Sequence, residues 1–448
     1  MRERDSAKGR IQPAPEHHVT AEQYATARAT AKAARRGFMR QAVAMAGGAA
    51  AAGLSGRALA QGAADGPLIP AWTRSLGAPV VATGYGMPSK YESAVQRRES
   101  PGLTRTPQSS VSFTPLQNLF GIVTPSGVHF ERHHSGMPEV DPAQHRLMIH
   151  GMVKRPLLLT MDELMRFPSV SRMHFIECGA NTGMEWGNVA VPTVQYTHGM
   201  LACSEFTGVL LSTLLEEVGY DKQKAKFILA EGADGSALTR TIPMEFALND
   251  VMVVYGQNGE MLRPENGYPL RLLVPGVQGV SSVKWLRRLE VGDKRWYTRE
   301  ESLHYIDLMP DGTHRQYSGV QEVKSVITSP SGGQKLLGKG YYEVTGLAWS
   351  GRGKVKRVDV SVDGDRNWRP ARLQDPVMSK CLTRFRFDWN WDGSPAMLQS
   401  RAVDETGHVQ PTLTQLRAVR GTRSIYHNNA IHTWRVMPNG EVWNVQVG

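Results

Sequence analysis

Near residue 321 the chain changes its hydrophobic period, and this break limits the architectures open to it more than any single motif does. Before the break, alternating and helix-spaced apolar residues are interleaved. His145 to Gly151 alternates as a strand does. Thr160-Met-Asp-Glu163 has the form of a capping box, with Thr160 as N-cap, and the helix it opens is stopped by Pro168. Val170 to Glu177 alternates again and delivers Cys178 at a strand's end. A helix over about Leu210–Val218 ends at Gly219, and strands follow over Lys226–Ala230, Val251–Tyr255, Leu270–Val274 and Leu286–Val291. Beyond 321 helical spacing fades. Tyr341–Trp349, Val355–Val362 and Arg384–Trp391 are short strands at regular intervals. Asp363-Gly364 sits where a hairpin turn is needed, and Val403, Thr412 and Val442 fall in further extended stretches. The pattern predicts an α+β domain over 111–320 and an all-β, immunoglobulin-like sandwich over 321–448.

Hydrophobic residues make up 41% and charged residues 21% of the 448, so the chain can bury cores in both domains. The formal charge of +11 invites a nucleic-acid reading, but residues 1–60 hold 10 Lys/Arg against 4 Asp/Glu and carry +6 of it. That segment has its own explanation. Arg35-Arg36-Gly37-Phe38-Met39-Arg40 precedes a mild apolar stretch, Gln41 to Leu54, and the small-x-small site Ala58-Leu59-Ala60. This order resembles a twin-arginine export signal, and predicts a protein exported folded to the periplasm, beginning near Gln61. The stretch is too short and Gly-rich for a membrane span, and no other span is expected. Residues 61–110, rich in Gly, Pro and Ser, read as an extended arm.

Three cysteines occur, with no CxxC and no CxxCH. No zinc ribbon and no covalently bound haem is therefore expected in this chain. Cys203 and Cys381 read as small buried residues. Cys178 differs, because it lies between a strand and the turn Gly179-Ala180-Asn181, where a thiolate is held rigidly and can be approached closely. Thiolate is a soft ligand suited to a metal–sulfur centre. Gly276-Val-Gln-Gly279 lacks the Lys and Ser/Thr of a phosphate loop, so nucleotide hydrolysis is not expected.

Around Cys178 an ordered series of motifs resembles the sulfite oxidase family of molybdenum enzymes. Cys178-Gly179-Ala180-Asn181 is similar to that family's metal-binding Cys-Ala-Gly-Asn turn. Phe130-Glu131-Arg132-His133-His134 resembles its Phe-x-Arg-Asn-His stretch, and Glu265-Asn266-Gly267-Tyr268-Pro269-Leu270-Arg271 its x-His-Gly-x-Pro-x-Arg stretch. Ser282-Val283-Lys284-Trp285-Leu286, Asp234 in Glu231-Gly-Ala-Asp, and Tyr297 after Trp296 fall at further family positions. Gly346-Leu-Ala-Trp-Ser-Gly351 and Val358 to Gly364 resemble the C-terminal dimerisation domain. The resemblance implies a molybdenum–molybdopterin cofactor with Cys178 as the protein ligand to the metal. Phe130, Glu131, Arg132, His133, His134, Asp234, Asn266, Arg271, Ser282, Val283 and Lys284 are implied to contact the pterin, and Arg132 and Tyr297 to position substrate. It further implies oxygen-atom transfer from water to sulfur, a separate c-type cytochrome as electron acceptor, and a homodimer of this chain within a hetero-oligomer.

Departures from the family pattern refine the expectation. Sulfite oxidases follow the cysteine turn with two arginines; here Thr182 and Gly183 stand there. A further active-site arginine is replaced by Glu205 in Cys203-Ser-Glu-Phe-Thr-Gly208. A site poorer in positive charge binds a free sulfite anion less well. The pattern is similar to that of the sulfane dehydrogenases of this family, whose substrate is a sulfane sulfur held on a cysteine of a sulfur-carrier protein. Glu205 is expected to mark such a substrate. The alternatives are a dehydrogenase acting on free sulfite and a non-catalytic periplasmic binding or scaffold protein. Metal analysis separates the last from the first two, and Cys178→Ser is expected to abolish turnover while leaving the circular-dichroism spectrum unchanged; retained activity with bound molybdenum would refute the ligand assignment.

Overall fold

The computed structural model describes residues 88–99, 106–187, 191–316 and 319–447. The export signal and most of the arm lie outside them. The arm's described end includes Arg98–Glu99, the edge strand of a small antiparallel sheet completed by Val111–Phe113 and Glu131–Arg132. This sheet brings the Phe130–His134 stretch to the site.

Two five-stranded sheets form the first half. One runs Glu260–Met261, Met252–Gln257, Leu201–Leu210, Ser169–Glu177, with Arg271–Leu273 also paired to Met252–Gln257. It is antiparallel throughout, and its last strand delivers Cys178. The other runs Leu157–Leu159, Leu147–Gly151, Leu286–Gly292, Phe227–Gly232, Thr239–Pro243. Its pair Leu147–Gly151 with Leu286–Gly292 is parallel. Apolar residues of the two sheets meet the helix Leu211–Val218, whose Leu211, Leu214, Leu215 and Val218 are fully buried at helical spacing.

Local signals explain the boundaries here. The helix Met161–Leu164 begins in a complete capping box: the Glu163 amide donates to Thr160 Oγ1 (3.2 Å) and the Thr160 amide to Glu163 Oε2 (2.8 Å). Leu211–Val218 ends at Gly219, which is left-handed at φ 63°. Among the described residues no helix is long and apolar enough to cross a membrane.

The second half is a sandwich of two antiparallel sheets. Lys324–Ser329, Gly340–Trp349, Thr383–Trp391 and Arg372–Leu373 form one; Arg369–Pro370, Val355–Ser361, Ala396–Asp404, Thr433–Val436 and Val442–Val445 form the other. Their facing residues, among them Val326, Leu347, Phe385, Val358, Leu398 and Trp434, make a continuous core. One expectation fails within it. Thr412 has extended backbone but belongs to no strand; it is the N-cap of the helix Leu413–Arg420, with Gln415 closing a capping box. The Thr-x-x-Gln signal is present in the sequence, but the surrounding strands mask it.

A buried ion pair joins the halves. Lys324, on the sandwich's first strand, donates to Glu177 Oε1 at 2.9 Å, with both side chains only 3% exposed. Trp349 Nε1 donates to the other carboxylate oxygen at 2.7 Å. Residues 90–448 accordingly form one compact unit. Removing one partner strands a buried charge, at a cost of about 3–5 kcal/mol. Lys324→Met is expected to lower the unfolding free energy by that amount in chemical denaturation, while Lys354→Met, an exposed control on the same half, shifts it by less than about 0.5 kcal/mol.

Candidate active site

Cys178 ends its strand where a chain must turn sharply, and its neighbours fix that turn. The Cys178 amide donates to Met200 O (3.0 Å), and the Asn181 amide returns to Cys178 O (2.9 Å). The Asn181 side chain works in two directions, donating through Nδ2 to Glu177 Oε1 (3.0 Å) and accepting at Oδ1 from the Met200 amide (3.2 Å). The thiol, 6% exposed, opens into a cavity of about 680 Å³, counting its mouth. Burial pushes its pKa up; the Ala180 amide and the Arg132 charge oppose that.

The cavity is walled by the segments singled out in the sequence. His129, Phe130, Arg132, His133 and His134 line one side; Asp234, Asn266 and Arg271 another; Ser282, Val283, Lys284 and Trp285 a third. Arg271 is 3% exposed and donates to Asn266 O (2.9 Å) and Ser282 O (3.1 Å). No carboxylate pairs with it among the described residues, and burial lowers its pKa to about 10. Lys284 donates to Arg132 O (3.1 Å), Glu265 O (3.0 Å) and His133 Nδ1 (2.8 Å). Burial, with Arg271 nearby, holds its pKa well below the usual lysine value. Asp234 is held by Ser236 Oγ and by the Leu238 amide (3.2 Å). Glu131 is paired with Arg97 and lies 3.4 Å from His133 Nε2. Burial lowers the pKa of His129 to about 3 and of His134 to about 4. Both imidazoles are thus neutral at pH 7, free to accept as well as donate.

Several polar atoms here lack a partner: His129 Nε2, Asn266 Nδ2 and Arg271 Nε are all buried and unbonded. Two orphaned donors, Asn266 Nδ2 and Arg271 Nε, beside a guanidinium with no paired carboxylate call for a ligand that is anionic and rich in acceptors, while His129, whose Nδ1 donates to Phe130 O (3.0 Å), leaves Nε2 as an acceptor. A phosphate-bearing pterin meets that description, and Cys178 would offer a soft thiolate to a metal carried on it, so the residues present fit a molybdopterin.

Two of the predicted catalytic residues are elsewhere. Tyr297 is 78% exposed and does not reach the cavity. The phenol at the site is Tyr305, 5% exposed and lining the cavity, with its Oη 3.5 Å from His134 Nε2. Burial, reinforced by the negative charge Cys178 can carry, pushes its pKa up, so it stays a neutral donor. The helix Arg299–Ser302 separates the two tyrosines. Tyr305 sits directly beyond that helix, in left-handed conformation at φ 56°. Glu205 is also outside. On the strand Leu201–Leu210, Ala202 and Phe206 face the cluster that contains Cys178, whereas Cys203 joins the sandwich-side core. Strand alternation puts Glu205 on the face of Cys203, exposed and opposite Met173.

The sequence reading missed Glu177, Lys324 and the segment Ile425–His427. The last closes over the cysteine turn: the His427 amide donates to Gly179 O (2.8 Å), and Thr182 Oγ1 donates to Asn428 O (2.8 Å). A Cβ at Gly183 would stand 2.7 Å from Ile425 O, so no side chain fits there. Tyr426 from this segment stacks on Tyr305 with centroids 4.8 Å apart. A lone charged residue at the start of the buried strand Lys324–Ser329 was the available clue to Lys324.

The arrangement defines a molybdopterin-dependent oxidoreductase. Family models agree: residues 134–299 match an oxidoreductase molybdopterin-binding domain and residues 316–434 a Mo-co oxidoreductase dimerisation domain. The chain is 32% identical to the sulfite oxidase of Gallus gallus, over 69% of this chain and 73% of that one. It is 30% identical to an NADH nitrate reductase of Ulva prolifera and 31% to one of Solanum lycopersicum, but spans only 40% and 37% of their lengths. The solved sulfane dehydrogenase SoxCD of Paracoccus pantotrophus superposes with a TM-score of 0.83, at 50% identity over 85% of this chain and 98% of that one. The chain belongs to the sulfite oxidase family of molybdenum oxidoreductases, and its cofactor is molybdenum–molybdopterin. Tyr305→Phe is expected to lower kcat roughly 10²-fold by removing a positioned donor, and Tyr297→Phe to leave it within about twofold; steady-state turnover at saturating substrate distinguishes them.

Proposed function

We propose that this protein oxidises sulfane sulfur carried on a cysteine of a partner protein. In this reading it works in the periplasm after folded export, as a homodimer within a hetero-oligomer, and passes electrons to a c-type cytochrome. The observation that carries the reading is the closure of the cysteine turn by the chain's own segment 425–428. Sulfite oxidases place two arginines after that turn; here Thr182 is bonded to Asn428, and Ile425 O leaves no room beyond a glycine at 183. A pocket without those cations favours a substrate presented on an arm over a free anion. The 50% identity to SoxCD supports the same substrate class.

The bound cofactor would supply the two-electron redox chemistry and the site of oxygen transfer. Cys178 would ligate the metal; Arg271, Lys284, His133, Asn266 and Asp234 would hold the pterin end. Arg132 and Tyr305 are placed to orient the sulfur substrate and to donate to developing negative charge on oxygen. Neutral His134, 3.5 Å from Tyr305 Oη, can accept the phenol's hydrogen bond and so aim it. The buried walls exclude bulk water from everything except the mouth.

A direct competition decides the substrate. Carrier-bound sulfane is expected to support turnover with kcat/KM at least tenfold above that for free sulfite, with reduction of an added cytochrome c as the readout. Efficient oxidation of free sulfite with none of carrier-bound sulfane would reject the proposal and favour a sulfite dehydrogenase.

A further inference from the structure

Two of the three cysteines lie outside the cofactor cavity, and they meet. Cys203 Sγ is 3.3 Å from Cys381 Sγ, across 178 positions of sequence. Both side chains are buried, 0% and 1% exposed. Cys203 is mid-strand in Leu201–Leu210, directly opposite Phe175 on the strand that ends at Cys178. Cys381 lies in the loop just ahead of Thr383–Trp391, the sandwich strand. The contact therefore spans the same junction as the Glu177–Lys324 pair, but on the opposite face of the sheet from the Cys178 cavity.

We propose that Cys203 and Cys381 form a disulfide in the mature enzyme. The frame for the bond is already ordered on both sides. Cys203 is fixed by Thr124, whose Oγ1 accepts from the Cys203 amide (3.1 Å) and whose amide donates to Cys203 O (2.7 Å). The 381 loop is fixed by Lys380, whose O accepts from the Phe175 amide (3.2 Å) and whose Nζ pairs with Asp250 (2.5 Å). Bonding requires the sulfurs to approach to about 2.05 Å, a shift of about 1.2 Å shared between two side chains. Each thiol loses a proton, and the pair loses two electrons; a disulfide donor takes both and departs as two thiols. Exchange proceeds while the 381 loop is open, and closure then shields the bond from reductants. Loop-closure entropy makes a link across 178 residues a strong constraint on the unfolded chain. It also leaves Cys178 as the chain's one free thiol, so no neighbouring sulfur competes for it.

The test counts cysteines and does not involve turnover, so its outcome is independent of the substrate assignment. Holoenzyme purified without reductant, before and after incubation with oxidised glutathione, is denatured and alkylated with iodoacetamide. After the glutathione step, one alkylated cysteine per chain is expected before reduction and three after it, with a linked Cys203–Cys381 peptide pair in the unreduced digest. Three alkylated cysteines without reduction in both samples would overturn the proposal. Cys381→Ser, loaded with molybdenum, is expected to melt below the oxidised wild type and together with the reduced wild type. Melting together with the oxidised wild type overturns it as well.

Discussion

A carboxylate buried one residue before the Cys178 thiol needs donors on both oxygens, and the way Glu177 finds them organises the molecule. Its donors come from three places: Asn181 in the cysteine turn, Lys324 on the sandwich's first strand and Trp349 on its second. None of these alone would hold an ionised carboxylate out of water. Together they turn the desolvation of a charge into a geometric specification. The sandwich must dock in one position for Glu177 to be paired, and Cys178 follows directly in sequence. The same lysine donates to Thr182 Oγ1, at 2.8 Å, on the far side of the turn. Thr182 is β-branched and left-handed at φ 63°, a conformation that persists only when its surroundings impose it. The domain that the family model names for dimerisation is thus also the support beneath the Cys178 turn.

On the cavity side the logic is reversed, because the charges there are left incomplete. Arg271 finds only carbonyl oxygens within the protein, and Lys284 is surrounded by carbonyls and an imidazole. Arg271 is buried without a paired carboxylate, and Lys284 feels the charges of Glu131 and Asp234 without a hydrogen bond to either among the described residues, so this wall of the cavity suits an anionic group. The cavity and the folded core are consequently different kinds of structure: the core satisfies its polar groups internally, and the cavity leaves donors and acceptors facing inward. Neutral Tyr305, His129 and His134 add donors and acceptors without adding to the positive charge.

What the sequence made legible follows the range over which each feature is decided. The capping box at Thr160 and Glu163, the stop at Gly219 and the strand running into Cys178 are each settled within a few residues, and all appear in the structure. The cavity-lining set, Phe130, Arg132, His133 and His134 and on through Lys284, was legible as ordered motifs. Features decided by pairing were not. Glu205 was misplaced because strand parity sets its face, and only the register with Met173 reveals that parity. Tyr297 and Tyr305 flank one short helix, and which of them turns inward depends on packing against Tyr426 from the far end of the chain. Glu177 with Lys324, and Cys203 with Cys381, are separated by 147 and 178 residues and carry no local mark.

The segment Ile425–Asn429 joins these themes, because its backbone closes over the cysteine turn and takes the space a side chain at 183 would need. An arginine at position 183 would bring charge to the pocket; Ile425 O, 2.7 Å from where a Cβ would begin, forbids even alanine without a backbone shift. The segment is itself held by buried partners, with Ser424 Oγ on Asp307 (2.6 Å) and Asn429 Nδ2 on Val323 O (3.2 Å), so it cannot easily retreat. Restoring the charge would therefore need the segment removed as well as the glycine replaced. Removing it would also withdraw Tyr426 from Tyr305 and Asn428 from Thr182. The loss of positive charge and the placement of the phenol are in this sense one structural decision. A single point substitution cannot undo it, and this gives the proposed preference for a carried sulfur a basis in the backbone.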